Sequence, residues 1–210
     1  HLMFLQMVTP ALALLRAAAF GVPGAGEAVE KTLAFLRTRL YDPLLGLQHS
    51  SNGDEGTSVF GLLSDAAWTA LAFAEASQAT GLKSHREFAD ALLRFLFQEL
   101  WERDGGGFLD RVPRASDSLI LREPRLDPGL NAVAFEVCWR LHHLKGSTNY
   151  RRWLDWGLRG VWPAAIADPA GLSGLARVAD MAARGRLDFE LVGRIGGVHC
   201  AELLGAAVRQ

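Results

Sequence analysis

Between Ala66 and Ala74 the chain carries Ala66, Ala67, Trp68, Ala70, Leu71, Ala72, Phe73 and Ala74, and no face of a helix through them is polar. A helix patterned this way is surrounded by protein. The next apolar set behaves differently. Phe88, Leu92, Phe95, Leu96 and Leu100 recur at helical spacing, and Arg86, Asp90, Arg94, Gln98 and Glu102 fill the opposite side, as in a helix half in water. Thr80-Gly81 separates the two, so the segment from Asp65 to Trp101 reads as an inner helix, a glycine turn and an outer helix. Ser84-His85-Arg86-Glu87 has the spacing of a capping box at the start of the outer helix.

The same unit recurs. Asn131 to Leu144, the turn Lys145-Gly146, and Asn149 to Trp162 repeat the order at constant spacing. Gly81, Arg86, Phe88, Asp90, Leu93 and Arg94 fall on Gly146, Arg151, Trp153, Asp155, Leu158 and Arg159. An earlier copy places Leu33, Phe35, Leu36, Leu40, Tyr41 and Gly46 on Leu93, Phe95, Leu96, Leu100, Trp101 and Gly106, with a partner helix expected over 10–20. The fold class expected is mainly all-α: a partial or reduced α/α toroid, with hairpins at about 10–46, 65–101 and 131–162. Its inner helix ends converge on one mouth, where a ligand site belongs. One single domain over 1–210 is expected, closing in an appendage over about 172–210. That appendage holds a helix from Leu172 to Ala183, a short strand over 187–192, glycines at 193, 196 and 197, and a terminal helix from His199 to Arg209. The glycine string fits neither a dinucleotide fingerprint nor a P-loop.

Composition narrows the function classes. Across 210 residues, 22 basic and 23 acidic side chains leave a net charge of −1, so no electrostatic term draws the chain to nucleic acid or an anionic membrane. Cys138 and Cys200 suit neither a disulfide scaffold nor a zinc site, and they read as buried thiols in a reducing, cytoplasmic setting. The apolar stretch from Leu2 to Phe20 lacks a basic leader and is interrupted by Gln6, Pro10 and Arg16, which argues against a signal peptide or a membrane span.

Several segments, taken in order, resemble the C-terminal helical region of the spermatogenesis-associated, thioredoxin-domain-containing family. They are Leu40-Tyr41-Asp42-Pro43 with Gly46, Leu62-Leu63-Ser64-Asp65-Ala66-Ala67, Ala79-Thr80-Gly81 and Asp104-Gly105-Gly106-Gly107-Phe108-Leu109-Asp110. Leu121-Arg122 with Asp127, Asn131-Ala132-Val133-Ala134, Arg140-Leu141 and Phe189-Glu190-Leu191-Val192-Gly193 follow. The resemblance implies a six-hairpin glycosidase-like toroid acting as an accessory or ligand-binding domain, and it does not transfer a reaction. A half-ring of three hairpins would expose an apolar edge, which implies a homodimer or scaffold role.

Sugar hydrolysis needs two carboxylates across the mouth. The catalytic candidates are Asp65, Asp127 and Glu136. Asp110, in the Gly-rich loop, and the aromatic faces of Trp68, Phe108 and Trp139 are ligand-binding candidates together with Asn131. A glycoside hydrolase or sugar epimerase is the enzymatic alternative, with a carbohydrate or other small molecule as ligand. The simpler accounts run otherwise. Asp127-Pro128 and Ser64-Asp65 look like helix caps, Glu136 pairs with Arg140 one turn on, and the aromatics are core. His142 and His143 point in different directions on a helix and lack accompanying ligands, so neither a metal nor any other cofactor is expected.

Overall fold

The computed structural model describes residues 2–3, 5–51, 59–113 and 123–185. These form β1 (Leu2–Met3), α1 (Leu5–Ala19), α2 (Ala25–Arg39), β2 (Tyr41–Asp42), β3 (Gly46–Ser51), β4 (Val59–Phe60), α3 (Leu63–Thr80), α4 (Lys83–Glu99), α5 (Pro128–Lys145), α6 (Thr148–Ile166) and α7 (Pro169–Arg184). The expected strand over 187–192, the Gly193 loop, the terminal helix and Cys200 lie outside the described residues, as does Leu121-Arg122.

Consecutive helices pack as hairpins, α1 on α2, α3 on α4 and α5 on α6. Across hairpins, α3 packs against α1 and α5, and α5 against α7. The inner row is therefore α1, α3, α5 and α7, with α2, α4 and α6 outside. This is the α/α-toroid arrangement expected from the repeat, extended by α7 as a fourth inner member. Burial follows sequence pattern. In α3 nearly every position from Ala66 to Ala76 is buried, whereas α6 buries a single stripe of Leu154, Gly157, Val161 and Ala165. The two alanine-rich turns end alike: Gly81 (φ 72°) and Gly146 (φ 67°) adopt the left-handed backbone, and their amides close on Ser77 O and His142 O.

A small antiparallel sheet, absent from the sequence reading, interrupts the first repeat. Strand β3 pairs with β1, β2 and β4, in the registers Leu2↔Ser51, Tyr41↔Leu47 and Gln48↔Phe60. The helical pattern stops at Leu40 because Asp42 makes a turn, its Oδ1 accepting from Leu44 N at 2.8 Å and Leu45 N at 2.9 Å. Gly46 (φ 83°) then lets the chain pass beneath Phe95, where a Cβ would sit 2.6 Å from the ring.

Two expectations are corrected. Helix α4 begins at Lys83 behind Leu82, with no side-chain cap, so Ser84-x-x-Glu87 lies one step inside the helix and Glu87 pairs instead with Lys83 at 3.1 Å. Ser64-Asp65 does not cap α3 either: Leu62 is its N-cap and Asp65 turns inward. Phe20, directly after α1, is 66% exposed, and nothing supports the homodimer.

One close approach tests this packing. A Cβ on Gly160 would overlap the carbonyl oxygens of Gly105 and Gly106, which cannot rotate away, while Gly26 in α2 has open space around it. Gly160→Ala is expected to lower the urea midpoint by the equivalent of about 2–3 kcal/mol. Gly26→Ala should leave it unchanged or raise it by up to about 1 kcal/mol.

Candidate functional site

The two ends of the helix rows are built differently. At one end, residues 81–82 and 146–147 are all that join inner to outer helix in the second and third hairpins. At the other, residues 40–62 and 100–127 connect α2 to α3 and α4 to α5, whereas residues 167–168 alone join α6 to α7, and the described parts of the longer segments bond to one another beside the N-termini of α3 and α5. This is the mouth, and long connections held on a rigid scaffold are where binding groups collect.

Residues 107–112 form the seam of the mouth. Leu109 N donates to Leu100 O at 2.9 Å, Leu63 N to Asp110 O at 2.9 Å, Asp110 N to Arg125 O at 2.7 Å and Val112 N to Gly61 O at 3.1 Å. Gly106 (φ 71°) and Gly107 (φ 141°) allow the entry turn. Asn131, fully buried in the first turn of α5, fixes the seam to the helices: its Oδ1 accepts from Phe108 N at 2.7 Å, and its Nδ2 donates to Phe108 O at 2.8 Å and Asp127 O at 2.9 Å. Phe108 is fully buried too, so these two candidates shape the wall from behind. The Asp110 carboxylate accepts from Arg125 N at 2.8 Å and from Arg111 Nη1 at 2.9 Å. Asp127 is the N-cap expected of it, accepting from Leu130 N at 2.9 Å ahead of Pro128, with its side chain at the surface of the mouth.

Asp65 is the exception among these acids. It lies in the first turn of α3, has no exposed surface, and receives His49 Nδ1 at 3.0 and 3.2 Å and Ser64 Oγ at 3.1 Å. Burial pushes its carboxyl up to about 6, against the opposing pull of the His49 imidazole and the Ser64 hydroxyl. His49 was not singled out from sequence. Its signal was the period of β3: Leu47, two residues earlier, is core, so His49 shares the face turned toward α3. The imidazole side chain is 25% exposed, so the dyad pairs a buried acid with a ring that reaches solvent. Such a pair can hold one tautomer, leaving Nε2 to give or take a proton.

Glu136 sits elsewhere, about 13 Å along α5 from Asp127 at the helical rise. Its oxygens are held by Arg140 at 2.7 Å and by Arg177 of α7, and Arg140 reaches on to Glu75 of α3 at 3.0 Å and to Gln78. The expected bridge to Arg140 is present and belongs to a belt across three inner helices. Burial alone would raise Glu136, but the bonds from Arg177 and Arg140 prevail and hold it below the usual range; for Glu75 burial prevails over Arg140 and raises it. Trp68 and Trp139 are half-buried in α3 and α5 and pack against the core, with the ring of His143 4.6 Å from that of Trp139. His142 is structural, bonded through Nδ1 to Ser147 O at 2.8 Å. Burial pushes the Cys138 thiol up and leaves it inert.

With this geometry, comparison to solved structures is informative. An α-mannanase of glycoside hydrolase family 76 from Bacteroides thetaiotaomicron superposes with a TM-score of 0.68 at 12% identity, covering 97% of this chain and 56% of that one. An α-1,6-mannanase of Salegentibacter, an inactive variant with two consecutive aspartates replaced by asparagine and α-1,6-mannotriose bound, gives 0.63 at 13% identity over 77% of this chain and 47% of its own. A family 76 mannosidase from Bacteroides thetaiotaomicron gives 0.60 at 14% identity, over 74% and 42%. The likeness is one of fold. The chain spans between 33% and 56% of the length of the structures it matches. No protein-family model and no curated protein matches it. The six-hairpin glycosidase-like half of the sequence resemblance therefore stands, while nothing in the comparisons supports kinship with the spermatogenesis-associated family. Nowhere does this sequence hold two consecutive aspartates; Ser64 precedes Asp65.

Two outcomes follow. The folded protein holds the Asp65 proton more tightly than the unfolded chain, so its contribution to stability is complete below the ordinary value of 3.8 and is lost as pH rises through about 6. The thermal midpoint of the wild type should fall more steeply over that window than that of Asp65→Asn. Glu136→Ala removes the carboxylate that Arg140 and the half-exposed Arg177 share, leaving Arg140 with Glu75, and should lower the urea-derived stability by about 2 kcal/mol.

Proposed function

We propose that the protein is a carbohydrate-active enzyme that takes a mannose-type oligosaccharide at the mouth, with His49 as the proton-handling group and Asp65 as the residue that positions it. The observation carrying this reading is the dyad: a buried carboxyl at an inner-helix N-terminus joined to an imidazole that reaches solvent. The fold shared with mannan-degrading enzymes supports the substrate class. Asp127, at the same end of the neighbouring inner helix, supplies an acid unencumbered except for its cap bond, and Trp68 and Asp110 are further wall candidates. The Glu136 belt holds helices together in this reading.

A second enzymatic reading has its own support. Hydrolysis needs two carboxylates facing one bond, and Asp65 is fully buried; an imidazole as the accessible proton carrier favours moving a proton at a sugar carbon, as in epimerisation. An accessory module, with or without a thioredoxin-like partner domain, would bind and do neither.

The test is incubation with α-1,6-mannotriose and with mannose in D2O, followed by NMR and by calorimetric titration. Mannotriose cleavage supports the hydrolase and deuterium at C2 of mannose the epimerase. In either case His49→Ala should cost about 10²–10⁴-fold in kcat. Asp65→Asn should lower kcat with KM little changed and flatten the pH profile near 6. Binding without turnover would establish the accessory role, and absence of both binding and turnover would overturn the carbohydrate reading.

A further inference from the structure

Helix α6 carries a feature that the mouth does not use. Asn149, Arg152, Trp153 and Trp156 line a cavity of about 380 Å³ on the outer layer. That volume is within the range of about 300–1,000 Å³ seen for small-molecule pockets. The rings of Trp153 and Trp156 lie 15° from parallel with centroids 5.8 Å apart. They are held from behind. Trp101, just past α4, meets both edge-on with centroids at 5.4 Å, Phe97 meets Trp153 at 4.6 Å, and Gly106 of the seam lies directly under Trp156. An exposed aromatic on a surface is ordinarily free to turn; these two are fixed by packing, yet Trp156 keeps 44% of its surface in solvent.

The polar lining is unpartnered. Arg151 is engaged by Asp155 at 3.0 Å and by Ala182 O at 3.0 Å, whereas Asn149 and Arg152 are exposed and make no hydrogen bond or ion pair among the described residues. A guanidinium offers five donors and no acceptor, and an amide adds donors and one acceptor. The complementary ligand presents oxygen acceptors at its rim and an apolar face toward an indole. A pyranose ring has both: axial C–H bonds on one face, hydroxyl and ring oxygens round the edge.

The geometry points to a second saccharide site on α6, separate from the mouth, in which Trp156 and Trp153 stack a pyranose ring and Arg152 and Asn149 bond its oxygens. It rests on the carbohydrate reading only for the class of ligand, and no residue is shared with the His49–Asp65 dyad. The site binds glycan without turning it over, and so holds a polymer against the outer wall while another stretch of it is presented to the mouth.

Tryptophan fluorescence and calorimetric titration test this, with α-1,6-mannotriose as the neutral probe and a trimer of galacturonic acid as the acidic one. The variants are Trp156→Ala and Arg152→Ala, each checked by thermal melting. Either probe should quench the wild type. Trp156→Ala should weaken that binding tenfold or more and Arg152→Ala severalfold. A stronger Arg152 effect on the uronate assigns an acidic sugar, and an equal effect assigns a neutral one. If neither probe binds, or if binding survives Trp156→Ala unchanged, the site is refuted. Trp156-dependent binding in a protein with no turnover would leave this site standing while the enzymatic reading of the mouth falls.

Discussion

A buried carboxamide holds the mouth in place. Asn131 accepts from one backbone amide and donates to two carbonyls, so a single side chain ties the Phe108 strand to the first turn of α5. Buried polar groups that are fully satisfied specify a unique arrangement, because any slip leaves several of them unpaired at once. The seam so fixed is what the first turn of α3 meets through Leu63 N and what the 125–126 segment meets through Asp110. The second and third hairpins, which contact each other chiefly through apolar helix faces, thus acquire a common register at one end. The position of Asp65 relative to Asp127 is a consequence of that register.

At the other end a different device does the same task. Glu75, Glu136, Arg140 and Arg177 connect α3, α5 and α7 through charge, with Arg140 shared between two carboxylates and Glu136 between two guanidinium groups. Buried ion pairs of this kind contribute specificity more surely than net stability, since desolvation offsets much of the attraction. The inner helices need such a device. Alanine-rich faces such as those of α3 are smooth, and smooth faces slide and rotate with little loss of contact, so polar bonds must choose the register that burial alone leaves open.

The architecture was legible in the sequence because the two members of each hairpin have different surfaces. Ala66–Ala74 without a polar face and Phe88–Leu100 with one are patterns that only an inner and an outer helix satisfy, and the glycine at 81 and 146 marks each turn. What was not legible depended on contacts between distant segments. The 41–60 sheet hides in a stretch of short strands, where Asp42 rather than hydrophobic spacing stops the helix. The capping readings of Ser64 and Ser84 failed because a cap is set by where the preceding turn ends, and Leu62 and Leu82 already held that position. Asp127, with proline immediately after it, had no such competitor. Trp153 was visible only as a repeat position. Its place beside Trp156 depends on Trp101 and the Gly105–Gly107 turn arriving from another hairpin.

The difference between Asp65 and Asp127 then follows from their neighbours. Both open inner helices, and a helix N-terminus favours a carboxylate in either. Asp127 faces the rim and gives its oxygen to the Leu130 amide, so its charge is met by the helix itself. Asp65 is roofed by β3, which removes water and brings His49, and the helix end is left to Leu62. A carboxyl with no exposed surface, no guanidinium and an imidazole at 3.0 Å fixes the orientation of that ring. Strand β3 is therefore more than an interruption of the helical repeat. By covering the start of α3 it buries Asp65, three positions past the N-cap of its helix where Asp127 is itself the N-cap, against His49.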